Sequence, residues 1–139
     1  MPILGGSTPA DVDLFPDVEK AIGEALRAAV GIPTGHADSH TPDNLEAVLP
    51  FLQVVRYGGG DDWVTDQAAV DVDFFAATRD QALNLARLGH QALIAGRLSY
   101  GGTLIDLVQT SVGVVERPRE GNVRRFGGSY TVSARRVRA

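Results

Sequence analysis

The chain has 139 residues, 44% of them hydrophobic, with no cysteine and a formal net charge of −4. A chain of that length fits one domain that buries roughly 68% of its unfolded surface, enough for a core without staples. Without cysteine there are no disulfides, thiolate metal sites or cysteine nucleophiles, and no stretch approaches the roughly 20 apolar residues of a membrane span, so a soluble, cytosol-compatible protein is expected.

The N-terminal MPILGGSTPA has too short an apolar patch and no basic flank for a signal peptide, and 1–14 is expected as an extended arm ahead of a single domain. The first predicted helix covers about 16–30. Pro16 suits its first position, Val18, Ile22, Ala25, Leu26 and Ala29 form a stripe at helical spacing, and Gly31 followed by Pro33 stops it. Residues 32–50 are polar and proline-bearing, a loop with one short edge strand near 36–40. FLQVVRY, 51–57, is a strand, and Gln67–Ala77 a second; about nine residues between them make a long hairpin loop, GGGDDW, expected to be mobile until a partner orders it.

Thr78 with Gln81 three residues later fits a capping box, and Ala82, Leu83, Ala86, Leu93 and Ile94 give the stripe of a second helix ending near Gly96. A third main strand is expected at about 104–115, broken by Pro118 and Gly121-Asn122, and a last one at about 124–137, interrupted at Gly127-Gly128. This order predicts an α+β fold: a mainly antiparallel sheet of about four to five strands with two helices packed on one face.

No motif points to catalysis, and neither an enzyme nor a cofactor is expected. HADSH places His36, Asp38 and His40 at alternate positions that would converge on a metal only if extended, and a solvated loop is the simpler reading. Gly58–Gly60 lack the lysine and helix start of a phosphate loop. Asp71 and Asp73 share a strand face but have no histidine or nucleophile nearby in sequence.

The charge is more informative than its total. Residues 117–139 carry seven arginines against Glu120 alone, net +6, leaving −10 for the rest. An acidic body opposes long-range attraction to phosphate, whereas opposite surfaces on one molecule suit head-to-tail association with copies of itself. On strand 67–77, Val70, Val72, Phe74 and Ala76 share one face, and Ala69, Asp71, Asp73 and Phe75 the other. With helices on one side only, Phe75 is expected to be exposed, an aromatic anchor of a subunit interface whose charged rim is Asp71, Asp73, Arg56, Arg124 and Arg135.

Four stretches, FPDVEKAIGEALRAAV, FLQVVRYGG, VDVDFFAATRDQALNLA and VRRFGGSYTVSARR, together resemble the tail terminator proteins of long-tailed bacteriophages, in the style of actinobacterial phages and distantly similar to the terminator of phage lambda. The resemblance covers about residues 15–137. It implies a virion structural protein, made in the host cytoplasm and placed at the tail–neck junction, whose homo-hexameric ring caps the head-proximal end of the tail tube and ends tube polymerisation. Its implied partners are its own copies, the major tail tube protein and a neck or head-completion protein, with no membrane. Genomic DNA would pass through the bore without specific binding. Gly58, Gly59, Gly60, Asp61, Asp62 and Trp63 fall where such proteins carry a hairpin tip that contacts the tube. Because carboxylates repel phosphates and let a duplex slide, Asp61, Asp62, Asp71 and Asp73 are expected to face the bore or the tube, and the last-strand arginines the subunit contacts or outer rim. Two other readings stay open: another neck component such as a stopper, and a nucleic-acid-binding α+β module.

Overall fold

A computed structural model describes residues 17–61, 66–118 and 121–136. The expected arm at 1–14, Pro16, Asp62 and Trp63 lie outside the described residues. Helix α1 spans Val18–Val30. Its N-terminus is set by Asp17, whose carboxylate accepts the Lys20 N–H at 3.1 Å, and Gly31, at φ 81°, closes it. Val18, Ile22, Ala25 and Leu26 are buried as their spacing predicts, while Ala29 in the last turn is exposed. Helix α2 spans Arg79–Ile94, and the Thr78 hydroxyl accepts the Gln81 N–H at 3.2 Å, the expected cap. Ala82, Ala86, Gly89 and Leu93 form its inner face; Ile94, at the very end, turns outward.

The strands are β1 (Ala37–Asp38), β2 (Phe51–Asp61), β3 (Asp66–Ala76), β4 (Leu98–Tyr100), β5 (Thr103–Glu116) and β6 (Arg124–Arg136), in the order β1-β2-β3-β6-β5-β4. The α+β class holds, but the sheet is larger than expected and mixed, because β1 joins β2 in parallel while every other pairing is antiparallel. Strand β4 was missed, since three residues are too few to show a period. Both helices lie on one face. Ile22, Leu26 and Leu93 pack there against Leu52, Val54, Val70, Val72, Phe74, Ile105, Tyr130 and Val132, a continuous apolar layer.

Two glycine runs behave differently from expectation. Gly58, Gly59 and Gly60 are not a mobile loop: they pair with Ala69, Ala68 and Gln67 within the β2–β3 ladder, after a bulge that turns out Tyr57. Gly59 has φ 112°, and a Cβ there would lie 2.1 Å from the Gln67 carbonyl oxygen, so only glycine lets β2 return to its neighbour after the bulge. Nor do Gly127 and Gly128 interrupt β6; they sit in its ladder opposite Asp73 and Val72.

Phe75 is the third correction. Its alternation with Phe74 is as expected, and Phe74 does face the helices, yet Phe75 is only 1% exposed. A second, smaller core formed by Leu45, Phe51, Phe75 and Val123, with Val48 and Leu49 against it, closes that end of the outer sheet face. Its cover comes from a 3₁₀ turn, Leu45–Val48, inside the stretch that reads as loop.

Candidate functional site

Beyond that small core, the outer face of β3 and β6 carries charge. Asp71 and Asp73 point away from the helices, opposite Ser129 and Gly127 of β6. The Arg125 guanidinium donates to Asp73 Oδ2 at 2.8 Å and lies 5.5 Å over the Phe75 ring, so one side chain ties the small core to the charged patch. Arg117, just beyond β5, reaches between the two carboxylates, 3.4 Å from Asp71 and 3.5 Å from Asp73. It also donates to Ser129 Oγ at 3.0 Å, and the Ser129 hydroxyl in turn donates to Asp71 Oδ1.

Asp73 is 1% exposed, and its carboxylate occupies space that only a glycine leaves. A Cβ on Gly127 would lie 2.2 Å from Asp73 Oδ1 and 2.2 Å from the Val72 carbonyl oxygen. Oδ1 itself accepts no hydrogen bond, and the ion pair with Arg117 at 3.5 Å is an attraction of charge without hydrogen-bond geometry. Such a pair contributes little net stability against an apolar replacement, but removing one partner strands the other.

The residues expected to rim a subunit interface therefore find partners within the chain. Asp71 and Asp73 take Arg117 and Arg125. Arg124 is bound to Glu116, with its Nε at 2.7 Å, and Arg135 lies 3.3 Å from Asp106. Arg56 folds back onto the hairpin, donating to the carbonyls of Gly58 (3.1 Å) and Gln67 (3.3 Å). Asp71 and Asp73 are ion-paired within the chain, and Phe75, expected to be exposed, anchors an internal core. Arg117, Arg125, Gly127 and Ser129 were missed as a group. The alternation of Arg125, Gly127 and Ser129 along one strand face was the available signal, but its partners on β3 are more than 50 residues away.

The metal pattern at 36–40 disperses. His36 Nδ1 lies 3.2 Å from the Pro50 carbonyl oxygen, His40 lies 3.7 Å from Asp38, and among the described residues no three His, Cys, Asp or Glu side chains gather as a metal site needs. A polar cleft of about 290 Å³ lies between α1 and β1, with Asp17, Glu19, Glu24 and Asp38 in its lining. Their carboxylates already serve the fold: Asp17 caps α1, Glu19 accepts the Arg56 N–H at 2.8 Å, Glu24 pairs with Arg27, and Asp38 accepts the Ser39 N–H. On the helix face, the Tyr130 hydroxyl lies 2.9 Å from His90 Nδ1, and burial pushes its pKa up to about 12 against a smaller lowering by Arg117. Among the described residues no helix is long and apolar enough to cross a membrane.

No protein-family model and no curated protein matches the chain. Among solved structures it is similar to a chain of the virion of the native gene transfer agent particle, with a TM-score of 0.54 and 14% identity, over 93% of this chain and 99% of that one. At that identity the likeness is one of fold, and it takes in both chains almost end to end.

Proposed function

We propose that the chain is a structural subunit of a phage-like virion, acting as a tail terminator: a ring that caps the head-proximal end of the tail tube, ends its polymerisation and joins it to the neck. The observation that carries this reading is the near end-to-end likeness to a chain of a gene transfer agent virion. The sequence resemblance to tail terminators, reached from the residues alone, points the same way. The outer face is compatible with a passage for DNA, because Arg117, Arg124, Arg125 and Arg135 are each paired with a carboxylate and so offer phosphates little free positive charge. In this reading the β2–β3 hairpin carries Gly58–Asp61 toward the tube as part of a paired strand.

The test is assembly. Purified chain added to polymerising tail tube protein should yield tubes of limited length with capped ends in electron micrographs, and a chain lacking Gly59–Asp62 should leave overlong tubes. Uncapped tubes with the intact chain would remove the terminator role. Because the likeness is to a virion chain and does not distinguish one neck role from another, a stopper or head-completion role is the second reading; binding to portal but not to tube protein would select it.

A further inference from the structure

Arg117, Arg124, Arg125 and Arg135 are each paired with a carboxylate of their own chain. Arg87 of α2 and Arg97, just past its end, are exposed and have no such partner among the described residues. They share a surface with exposed carbon. Arg87, Leu88, Gln91 and Ile94 fall within about a third of the helix circumference, on the side opposite the buried residues of α2, and Leu88 and Ile94 are 51% and 52% exposed. From Gln81 to Ile105 the chain has no Asp or Glu, although acidic residues outnumber Lys and Arg by 17 to 13 overall. Aliphatic carbon and arginine without carboxylates is the make-up of a contact surface rather than of a solvated helix face.

The opposite charge stands elsewhere on the molecule. In the cleft between α1 and β1, Asp17, Glu19 and Asp38 each accept a backbone N–H, from Lys20, Arg56 and Ser39. None of the three has a Lys or Arg ion pair among the described residues, and Lys20 is the one cation among the described lining residues. A backbone N–H occupies one acceptor position of a carboxylate and leaves its charge uncancelled, so room remains for a guanidinium. The cleft, at about 290 Å³, is open enough to admit one.

We propose that the outer face of α2 docks on the cleft between α1 and β1 of a second copy of this chain, head to tail. The charge complementarity of the two surfaces orients the contact, and Leu88 and Ile94 supply apolar area to bury. The two surfaces share no residue, so each copy uses both at once, one toward each neighbour, and the series closes into a ring where the rotation allows. This names the subunit contact of the ring proposed above and rests on that reading.

Sedimentation velocity of the full chain in low salt, over a wide concentration range, tests it. The expected result is association that weakens as salt is raised. Arg87→Glu combined with Arg97→Glu disables the helix face, and Asp38→Lys, at an exposed carboxylate, disables the cleft. Each should weaken association on the order of tenfold or more with unchanged far-ultraviolet circular dichroism. An equimolar mixture of the two should give one-to-one dimers, because one intact helix face still meets one intact cleft. A chain that stays monomeric at its solubility limit overturns the proposal, as does association unmoved by either variant, or a mixture no better than its parts. Association that follows this pattern without capping tubes would uphold the contact and remove the terminator role. Tubes capped as well by the Arg87→Glu, Arg97→Glu chain as by the wild type would uphold that role and overturn the contact.

Discussion

Replacing Phe75 with alanine separates what the strand pattern alone suggests from what the fold does. If the ring lay on an open sheet face, its loss would cost the isolated chain next to nothing. In the structure it is 1% exposed among Leu45, Phe51 and Val123, with the Arg125 guanidinium 5.5 Å over it. Deleting a buried phenylalanine side chain costs about 3–5 kcal/mol through lost transfer energy and the cavity left behind. The cation–π contact accounts for about 0.5–1 kcal/mol of that, because Arg125 is partly solvated. Against a total stability of about 5–15 kcal/mol the change is large. Thermal unfolding should shift down by about 10–15 °C, with a parallel fall in the urea midpoint at unchanged slope. Val112→Ala, on an exposed part of the same face, should stay within about 0.5 kcal/mol of wild type and serves as the control. A Phe75→Ala chain within about 1 kcal/mol of wild type would refute the second core and return Phe75 to the surface.

Gly127→Ala should destabilise by about 3 kcal/mol in urea titrations. The new methyl meets the Val72 carbonyl oxygen and the Asp73 carboxylate, both at 2.2 Å, and a backbone clash has no rotamer escape. Thr78→Ala removes the cap of α2 and should cost about 1 kcal/mol by the same measurement, while Thr78→Ser should cost less. Tyr130 gives a pH signature: its folded pKa, raised to about 12, lies above the ordinary value of 10.0. Its contribution is therefore fully present below pH 10 and is lost as pH rises toward 12, so stability should fall across that window and fall less in Tyr130→Phe. In a phenolate absorbance titration of the folded chain, the component missing from Tyr130→Phe should be the one near pH 12; a component near pH 10 would contradict the burial.

What the sequence by itself determined was local. Thr78 and Gln81 marked the start of α2 because a capping bond spans three residues, and Gly31 marked the end of α1 because a left-handed residue closes a helix there. The alternation in β3 assigned Phe74 to the helix face because its period of two is intrinsic to an extended chain. What the tertiary structure alone decided was everything that depends on a distant partner. Phe75 is buried because a 3₁₀ turn some 30 residues earlier folds over it, and its own strand carries no trace of that cover. Gly58–Gly60 belong to a strand because Gln67, Ala68 and Ala69 lie alongside them, whereas three glycines in a row carry no side-chain period from which to read one. Asp73 is neutralised within the chain because β6 runs beside β3 and brings Arg125 and Gly127 to it from more than 50 residues away, and pairing over that separation is set by how the whole sheet packs against its helices, which no local pattern encodes.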